Sequence, residues 1–411
     1  MIKTERLQAD IEALRAISDP CNGGVTRIGF TERYRQGVEY VKQRMQECGL
    51  TTYEDEIGNL YGVMEGQDSS AAKIISGSHL DTVRNAGAFD GIAGVVCALE
   101  AARVIKERGI KLKHTYEVLG FIEEEGTNFG QVLLGSRFIS GDLTDADKDR
   151  FISKDKQLLR EVLSNYMQGI ETVPACRKND NILAFLEVHD EQGPVLQETN
   201  TDIGIVQSIV ALSQLSISIT GFAGHAGTVP MNLRQDAGLA GCSLVSRMTS
   251  YVLRKYTNEA TFTVGKFSLL PNSSNCIPNN CSFTIDLRSG TQAIVDNVLD
   301  YLQDMKKLVE QEYNVTIDVN IDSYKDEVVM DQGLQQLIAE SCDKLGLSYR
   351  NINSGAGHDA MIMANLCKTA MIFIPCDRGI THHPLEKVEW EDMRKGTELL
   401  LETILRLDSQ F

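Results

Sequence analysis

At 411 residues the chain exceeds what one hydrophobic core usually organises, so two domains, or one domain with a large insertion, are expected. Its 42% hydrophobic and 24% charged residues are those of an ordinary soluble protein, and a formal net charge of −17 argues against nucleic acid or anionic membrane as partners while leaving room for a local basic pocket. The amino terminus is charged and amphipathic without a signal-peptide core, and no apolar run reaches membrane-spanning length, so a cytoplasmic protein with no membrane partner is expected.

Residues 2–18 and 31–48 have helical periodicity, and the glycine-rich CNGGVTRIGF between them places Arg27 in a loop. Thr51 to Met64 reads as two strands around a Gly58-Asn59 turn, and Lys73 to Ser76 as the next strand. That strand releases into IISGSHLDTVRNAGAFDG, where His79 and Asp81, two apart, would point the same way, letting Asp81 hold one ring nitrogen while the other meets a metal. Asp90-Gly91 then opens an apolar helix that stops at Gly109, so Asp90 is either a helix cap or a carboxylate free to bridge two cations. His114 to Ile122 supplies a buried strand ending in Glu123, Glu124 and Glu125, which form a plain hydrophilic loop or, beside a dication, divide into a ligand and a base.

Leu143 to Lys178 is a polar, helix-patterned excursion. Ile182 to Val188 is a third buried strand, delivering His189-Asp190-Glu191-Gln192 at its carboxyl end, where ligands of open α/β sheets gather. From Ile209 the texture changes to alternating strands around a helix at Leu233–Tyr256, a compact α+β insert through about residue 326 of a kind that often dimerises. The helical pattern returns at Gly333–Leu345, followed by SGAGHDAMIMA, a strand at Ala370–Pro375, RGITHHPLEKVEW and a last helix. The fold class is therefore α/β: a mixed, mainly parallel sheet flanked by helices in a catalytic domain of residues 1–208 and 327–411, with a lid or dimerisation domain at 209–326.

Ten cysteines with no C-x-x-C pair fit reduced, mostly buried thiols. Of seven histidines only His114 has an ordinary mid-strand context; the others lie beside glycine, proline or acids at element ends. Imidazole with carboxylate, and no thiolates at matching spacing, suits zinc, manganese, cobalt or nickel, and a pair of such ions needs one shared carboxylate.

In order and over nearly the whole chain, GSHLDTVRNAGAFDG, FIEEEGTNFG, HDEQGPVL, GHAGTVPM, NCIPNNCSFTIDLR, SGAGHDAM and GITHHPLE resemble the hydantoinase/carbamoylase amidases of the dinuclear aminoacylase and carboxypeptidase superfamily. The resemblance implies two divalent ions per subunit, Zn²⁺ or Mn²⁺, Co²⁺ or Ni²⁺: one on His79, Asp90 and His189, the other on Asp90, Glu125 and His382, with His382 preferred over His383. It further implies Glu124 as general base, Asp81 as the brace of His79, and substrate contacts from Gln192, His225, Asn275 and Arg288, with His225 also stabilising the oxyanion. His225 and Asn275 would reach the other subunit of a homodimer, and Arg288 would meet a substrate carboxylate.

The implied reaction is hydrolysis of a small ureido or carbamoyl acid, first an N-carbamoyl-L-amino acid and second allantoate. An aminoacylase or dipeptidase, or a non-catalytic binding protein on the same scaffold, is more remote. Asn128 stands where relatives usually carry arginine, and Asp190 where an apolar residue is usual; His358-Asp359 reads as supporting or structural. Relatives often carry a cis peptide after the bridging aspartate, which implies one at Asp90-Gly91.

Overall fold

The computed structural model describes residues 1–410. Along the chain run helices α1 (Thr4–Ala16) and α2 (Glu32–Glu47), strands β1 (Thr51–Asp55), β2 (Leu60–Met64) and β3 (Lys73–His79), helix α3 (Ile92–Glu107), strand β4 (Tyr116–Phe121), helices α4 (Leu134–Ile139) and α5 (Leu159–Tyr166), strands β5 (Thr172–Val173) and β6 (Ile182–Asp190), helix α6 (Val195–Glu198) and strand β7 (Ile203–Ile209). Next come β8 (Ala211–Thr220), β9 (Gly224–His225), α7 (Ala237–Lys255), β10 (Ala260–Leu270), β11 (Cys276–Ile277), β12 (Asn280–Ser289), α8 (Gln292–Tyr313), β13 (Thr316–Lys325) and β14 (Val328–Val329). The chain ends with α9 (Gln332–Leu345), β15 (Tyr349–Ser354), α10 (Asp359–Met363), β16 (Lys368–Ile374) and α11 (Trp390–Gln410). None of these helices is long and apolar enough to cross a membrane.

The chain divides into two units: the first holds Met1–Gln207, Met330–Ile352 and everything from Gly357, the second Ser208–Val329 and Asn353–Ala356. In the first unit the sheet order is β7-β16-β6-β3-β4-β2-β1-β5. Its centre, β16 through β4, is parallel, and β7 and β2 flank it antiparallel. Nearly every residue of β3, β4, β6 and β16 is buried, which is why these strands read as unbroken apolar runs rather than alternations.

Helix α3 lies on β3, β4 and β6, with α1 and α11 packed beside it. Its residues Ile92 to Ile105 are all buried, including two charges that survive there by pairing with α1: Glu100 accepts from Arg6 (2.6 Å) and Arg103 donates to Asp10 (2.5 Å). Helix α2 starts at Thr31, whose hydroxyl accepts the Tyr34 N–H, and packs on β1 and β2.

The second unit is an antiparallel sheet, β10-β12-β8-β13. Alternate residues of β8 and β12 (Leu215, Ile217 and Ile219; Phe283, Ile285 and Leu287) are buried in a core shared with Leu244 and Met248 of α7 and Val298 and Leu302 of α8.

Three local expectations shift. The expected helix at Leu233 begins at Ala237, because the Asp236 carboxylate accepts the Leu239 N–H and caps it there, while Met231–Leu233 is a separate 3-10 turn. His114 precedes β4 instead of sitting within it, with Nδ1 2.5 Å from the Ala72 carbonyl. The excursion from Leu143 is mostly irregular: beyond a short turn and the two-residue β5 it holds only α5, which Arg160 ties to Asp145 and Asp149. All ten cysteines are free thiols, of which Cys97, Cys281, Cys342 and Cys376 are buried and Cys21, Cys176 and Cys242 exposed.

Candidate metal centre

The site forms where the parallel strands end. β3 delivers His79, β4 runs through Ile122 into the three acids, β6 delivers His189, and the loop after β16 brings back His382. Pairing fixes the first three in one row, with His79 opposite Phe121 across β3/β4 and His189 opposite Phe373 across β6/β16. Asp90 enters from the loop between β3 and α3.

Two donor sets share the Asp90 carboxylate. Oδ1 lies 3.4 Å from the Nε2 atoms of both His79 and His189, and Oδ2 lies 3.1 Å from His382 Nε2, which is itself 3.3 Å from Glu125 Oε1. Glu125 Oε1 is buried, with the His382 imidazole as its neighbour at that distance. Ligand atoms held tetrahedrally at about 2.0–2.1 Å from a zinc-like ion lie about 3.3 Å from one another, so these spacings fit two divalent cations. The candidate groupings include His79, Asp90 and His189, and Asp90, Glu125 and His382.

Electrostatics points the same way. Burial alone would raise the Asp90 carboxyl, yet its imidazole neighbours His189, His382 and His79 hold it well below its ordinary value. Conversely, burial would lower His79, but Asp90, Glu124 and Asp81 drive it well above the ordinary imidazole range. Burial, reinforced by Glu125, Asp359 and Asp81 against the pull of His79, lifts the Glu124 carboxyl well above its usual value. Glu124 Oε2 sits 3.9 Å from His79 Nε2. So many buried acids around a few imidazoles call for added positive charge.

Gly91 rather than Asp90 is the residue preceding α3, and no side chain caps that helix, so the Asp90 carboxylate is not spent on capping. The Asp90-Gly91 peptide is not cis, contrary to what the resemblance implied; the only cis bond among the described residues is Leu270-Pro271. Gly91 makes the turn with φ +70°, and the close approach of the His79 ring, 2.3 Å from where a Cβ would stand, admits only glycine.

Asp81 also departs from its expected part. The His79 Nδ1 meets the Asp81 backbone carbonyl at 3.0 Å, while the carboxylate Oδ1 stays 3.8 Å away. The chain leaves extended geometry at His79, so the carboxylate turns instead to the acidic loop and accepts the N–H groups of Glu124 (3.1 Å) and Glu125 (3.2 Å). Asp190 comes nearer to the part expected of Asp81, though toward the other ring: its Oδ1 is 3.2 Å from His189 Nδ1, and its backbone carbonyl 3.0 Å.

Gln192, in a left-handed conformation (φ +55°), donates from Nε2 to Asp90 Oδ2 at 3.0 Å. His383 faces away, exposed, accepting the Leu385 N–H, whereas His382 faces the carboxylates. His358 is buried edge-on against the His189 ring with centroids 4.5 Å apart. Asn128 donates to the Gly29 carbonyl, and its own N–H reaches Glu123 Oε1, so an amide rather than a cation flanks that buried acid. His225, Asn275 and Arg288 belong to the second unit. There His225 pairs with Cys276 across β9/β11, Asn275 accepts the Ala226 N–H, and Arg288 on β12 forks onto Asp286 while donating to Gly355.

Four groups escaped the sequence reading. Glu187 accepts from Ser78 and from the Ala360 N–H. Arg27, fully buried, donates to the carbonyls of Leu80, Leu14 and Ile17 and so anchors the turn after His79. Thr381 and Glu386 contact Asp90 from the His382 loop. Most of the contacts that bring these groups to the site span 50 residues or more, and the acid in GITHHPLE was the only visible trace of Glu386.

Residues 75–406 match the family model described as peptidase family M20/M25/M40. An N-carbamoyl-L-amino-acid amidohydrolase of Paenarthrobacter aurescens is 35% identical over 407 residues, 99% of this chain and 98% of that protein. An allantoate amidohydrolase of Escherichia coli strain K12 is 34% identical over 384 residues, 93% of this chain and 92% of that protein. The crystal structure of a hydantoinase/carbamoylase family amidase from Burkholderia multivorans aligns with a TM-score of 0.94 at 29% identity, covering 100% of this chain and 98% of that one.

Proposed function

The chain belongs to peptidase family M20/M25/M40, and we propose on that premise that it is a metal-dependent amidohydrolase cleaving the carbamoyl C–N bond of an N-carbamoyl-L-amino acid, giving the amino acid, carbon dioxide and ammonia. The observation that carries the reading is the division of the Asp90 carboxylate, one oxygen 3.4 Å from two imidazoles and the other 3.1 Å from a third. His79, Asp90 and His189 would hold one divalent ion, and Asp90, Glu125 and His382 the other. When bound, such ions supply Lewis acidity, acidifying a water and polarising the carbamoyl carbonyl.

The chain's own groups do the rest. Glu124, buried beside His79 at the mouth of the site, takes the proton of the attacking water and returns it to the leaving nitrogen. Asp81 fixes its aim by holding the Glu124 and Glu125 N–H groups. Gln192, beside Asp90, contacts the carbamoyl group. His225 and Asn275 offer polar contacts to the developing oxyanion, and the Arg288 guanidinium pairs with the substrate carboxylate. The active species is a homodimer in which His225 and Asn275 serve the partner's site.

The 34% identity to the allantoate amidohydrolase favours allantoate as the second reading. Both substrates offer a carboxylate and a carbamoyl carbonyl. Ammonia release measured across N-carbamoyl-L-amino acids and allantoate, after loading with Zn²⁺, Mn²⁺, Co²⁺ or Ni²⁺, separates them. Activity on neither class with any metal refutes the proposal.

A further inference from the structure

Two loops far apart in sequence meet at Asp90. Glu386, a residue only 6% exposed, accepts through Oε1 the N–H groups of Phe89 (2.8 Å) and Asp90 (3.1 Å). Its Oε2 lies 3.3 Å from the Thr381 hydroxyl, which is also 2.9 Å from Asp90 Oδ2. One carboxylate thus holds the backbone of the Asp90 turn and, through Thr381, faces the same carboxylate from the other side. The intervening residue His382 is the donor to Asp90 Oδ2 and Glu125.

The fit is tight from the opposite wall too. A Cβ on Gly87 would stand 2.2 Å from Glu386 Cδ and 2.3 Å from its Cβ, so the Asp90 turn is built around this side chain. His382 has a left-handed backbone (φ +55°), a conformation that the surroundings must impose on a non-glycine residue. The Glu386 N–H accepted by the His383 carbonyl, and the Leu385 N–H accepted by its ring, close the turn that carries His382.

We propose that Glu386 is a positioning residue that straps the Asp90 turn to the His382 turn, so that the Asp90, Glu125 and His382 donor set exists only while the strap is closed. The inference rests on the metal reading above for its consequence, but not for the strap itself. It sets the two donor sets apart. His79 and His189 are carried by β3 and β6 and stay in place without Glu386, so that set loses the hold on the shared Asp90 alone, whereas the other set loses the hold on both Asp90 and His382.

Two readouts test it. In chelated protein, hydrogen exchange at the Phe89 and Asp90 amides should run roughly tenfold or more faster in Glu386→Ala than in the parent, with α3 unchanged. Under titration with Zn²⁺, the parent should take two ions. Glu386→Ala should bind one ion about 10–100-fold more weakly, the usual loss for a group that orients a ligand, and the other, held also by His79 and His189, with a clearly smaller loss. Gly87→Ala, which displaces Glu386 without altering its chemistry, should shift both readouts the same way. Glu386→Gln, which keeps the acceptor for both N–H groups, should restore them. If Glu386→Ala fails to fold, Gly87→Ala and Glu386→Asp decide on the same measurements.

Unchanged exchange at Phe89 and Asp90 overturns the strap. Equal weakening of both ions overturns its selectivity for the His382 set. A parent that binds no ion refutes the metal reading and leaves the strap to be judged by exchange alone.

Discussion

Replacing Gly91 with alanine tests the centre at its tightest point. The new methyl carbon would stand 2.3, 2.4 and 2.5 Å from Cε1, Nε2 and Cδ2 of His79. Non-bonded carbons rest at about 3.5–4.0 Å, so ring and turn must separate by more than about 1 Å. Ligand positions tolerate about 0.2 Å, and a 1 Å misplacement typically costs about a hundredfold in turnover. The φ of +70° adds a backbone penalty of about 1–2 kcal/mol for any residue with a Cβ.

Gly109→Ala supplies the control, because Gly109 has φ +65° with nothing within 4 Å of the added methyl. Gly109→Ala should lose about 1–2 kcal/mol in urea unfolding of chelated protein from backbone strain, and Gly91→Ala about 1–3 kcal/mol more from the clash with the His79 ring. Only Gly91→Ala should lose about tenfold or more in Zn²⁺ affinity, measured by chelator competition, and about a hundredfold in ammonia release. Parental metal affinity and turnover in Gly91→Ala would refute the claim that this contact sets the His79 ring.

Glu124→Gln should lower kcat by about a hundredfold to ten-thousandfold while two-ion binding persists in metal analysis, and parental turnover would remove Glu124 as the base. Arg27→Met strands three backbone carbonyls, so chelated protein should lose about 3 kcal/mol or more in urea, and a loss below about 1 kcal/mol would dismiss the anchor. In the metal-free chain, hydrogen bonding to Asp90 and Glu125, against partial burial, raises the His382 imidazole to about 10 from an ordinary value near 6.5. The stabilisation this gives is complete below about pH 6.5 and is lost as pH rises through about 10. Thermal unfolding of chelated protein should therefore fall more steeply over that range than in His382→Gln, and parallel curves would contradict the pairing. Metal loading near neutral pH should release protons from the same imidazoles, visible as buffer-dependent heats in calorimetry.

The central strands were legible because strands buried on both faces spell themselves out as apolar runs, and their carboxyl ends announced His79, the three acids and His189. What spacing could not supply was direction beyond the end of a strand. Two residues apart on a continuing strand, the Asp81 carboxylate would face the His79 ring, but the strand stops at His79 and the carboxylate swings to the Glu124 turn. Long-range partners were equally invisible: Glu386 meets Phe89 and Asp90 across almost 300 residues, and Arg27 meets Leu80 across 53, so no local pattern marks either. The resemblance preferred His382 of the two adjacent histidines, and the two rings do part ways, one toward Asp90 and the other bonding its own turn.

The placement of β6 has a bearing on synthesis. Its apolar run is paired on one side by β3, made earlier, and on the other by β16, which the ribosome delivers only after the second unit has emerged. At about 5–20 residues per second, the roughly 180 residues between them leave that edge without its neighbour for about 10–40 s. Over that interval the nascent chain presents a bare apolar strand edge, a template for pairing with other chains, and only the arrival of β16 ends the exposure.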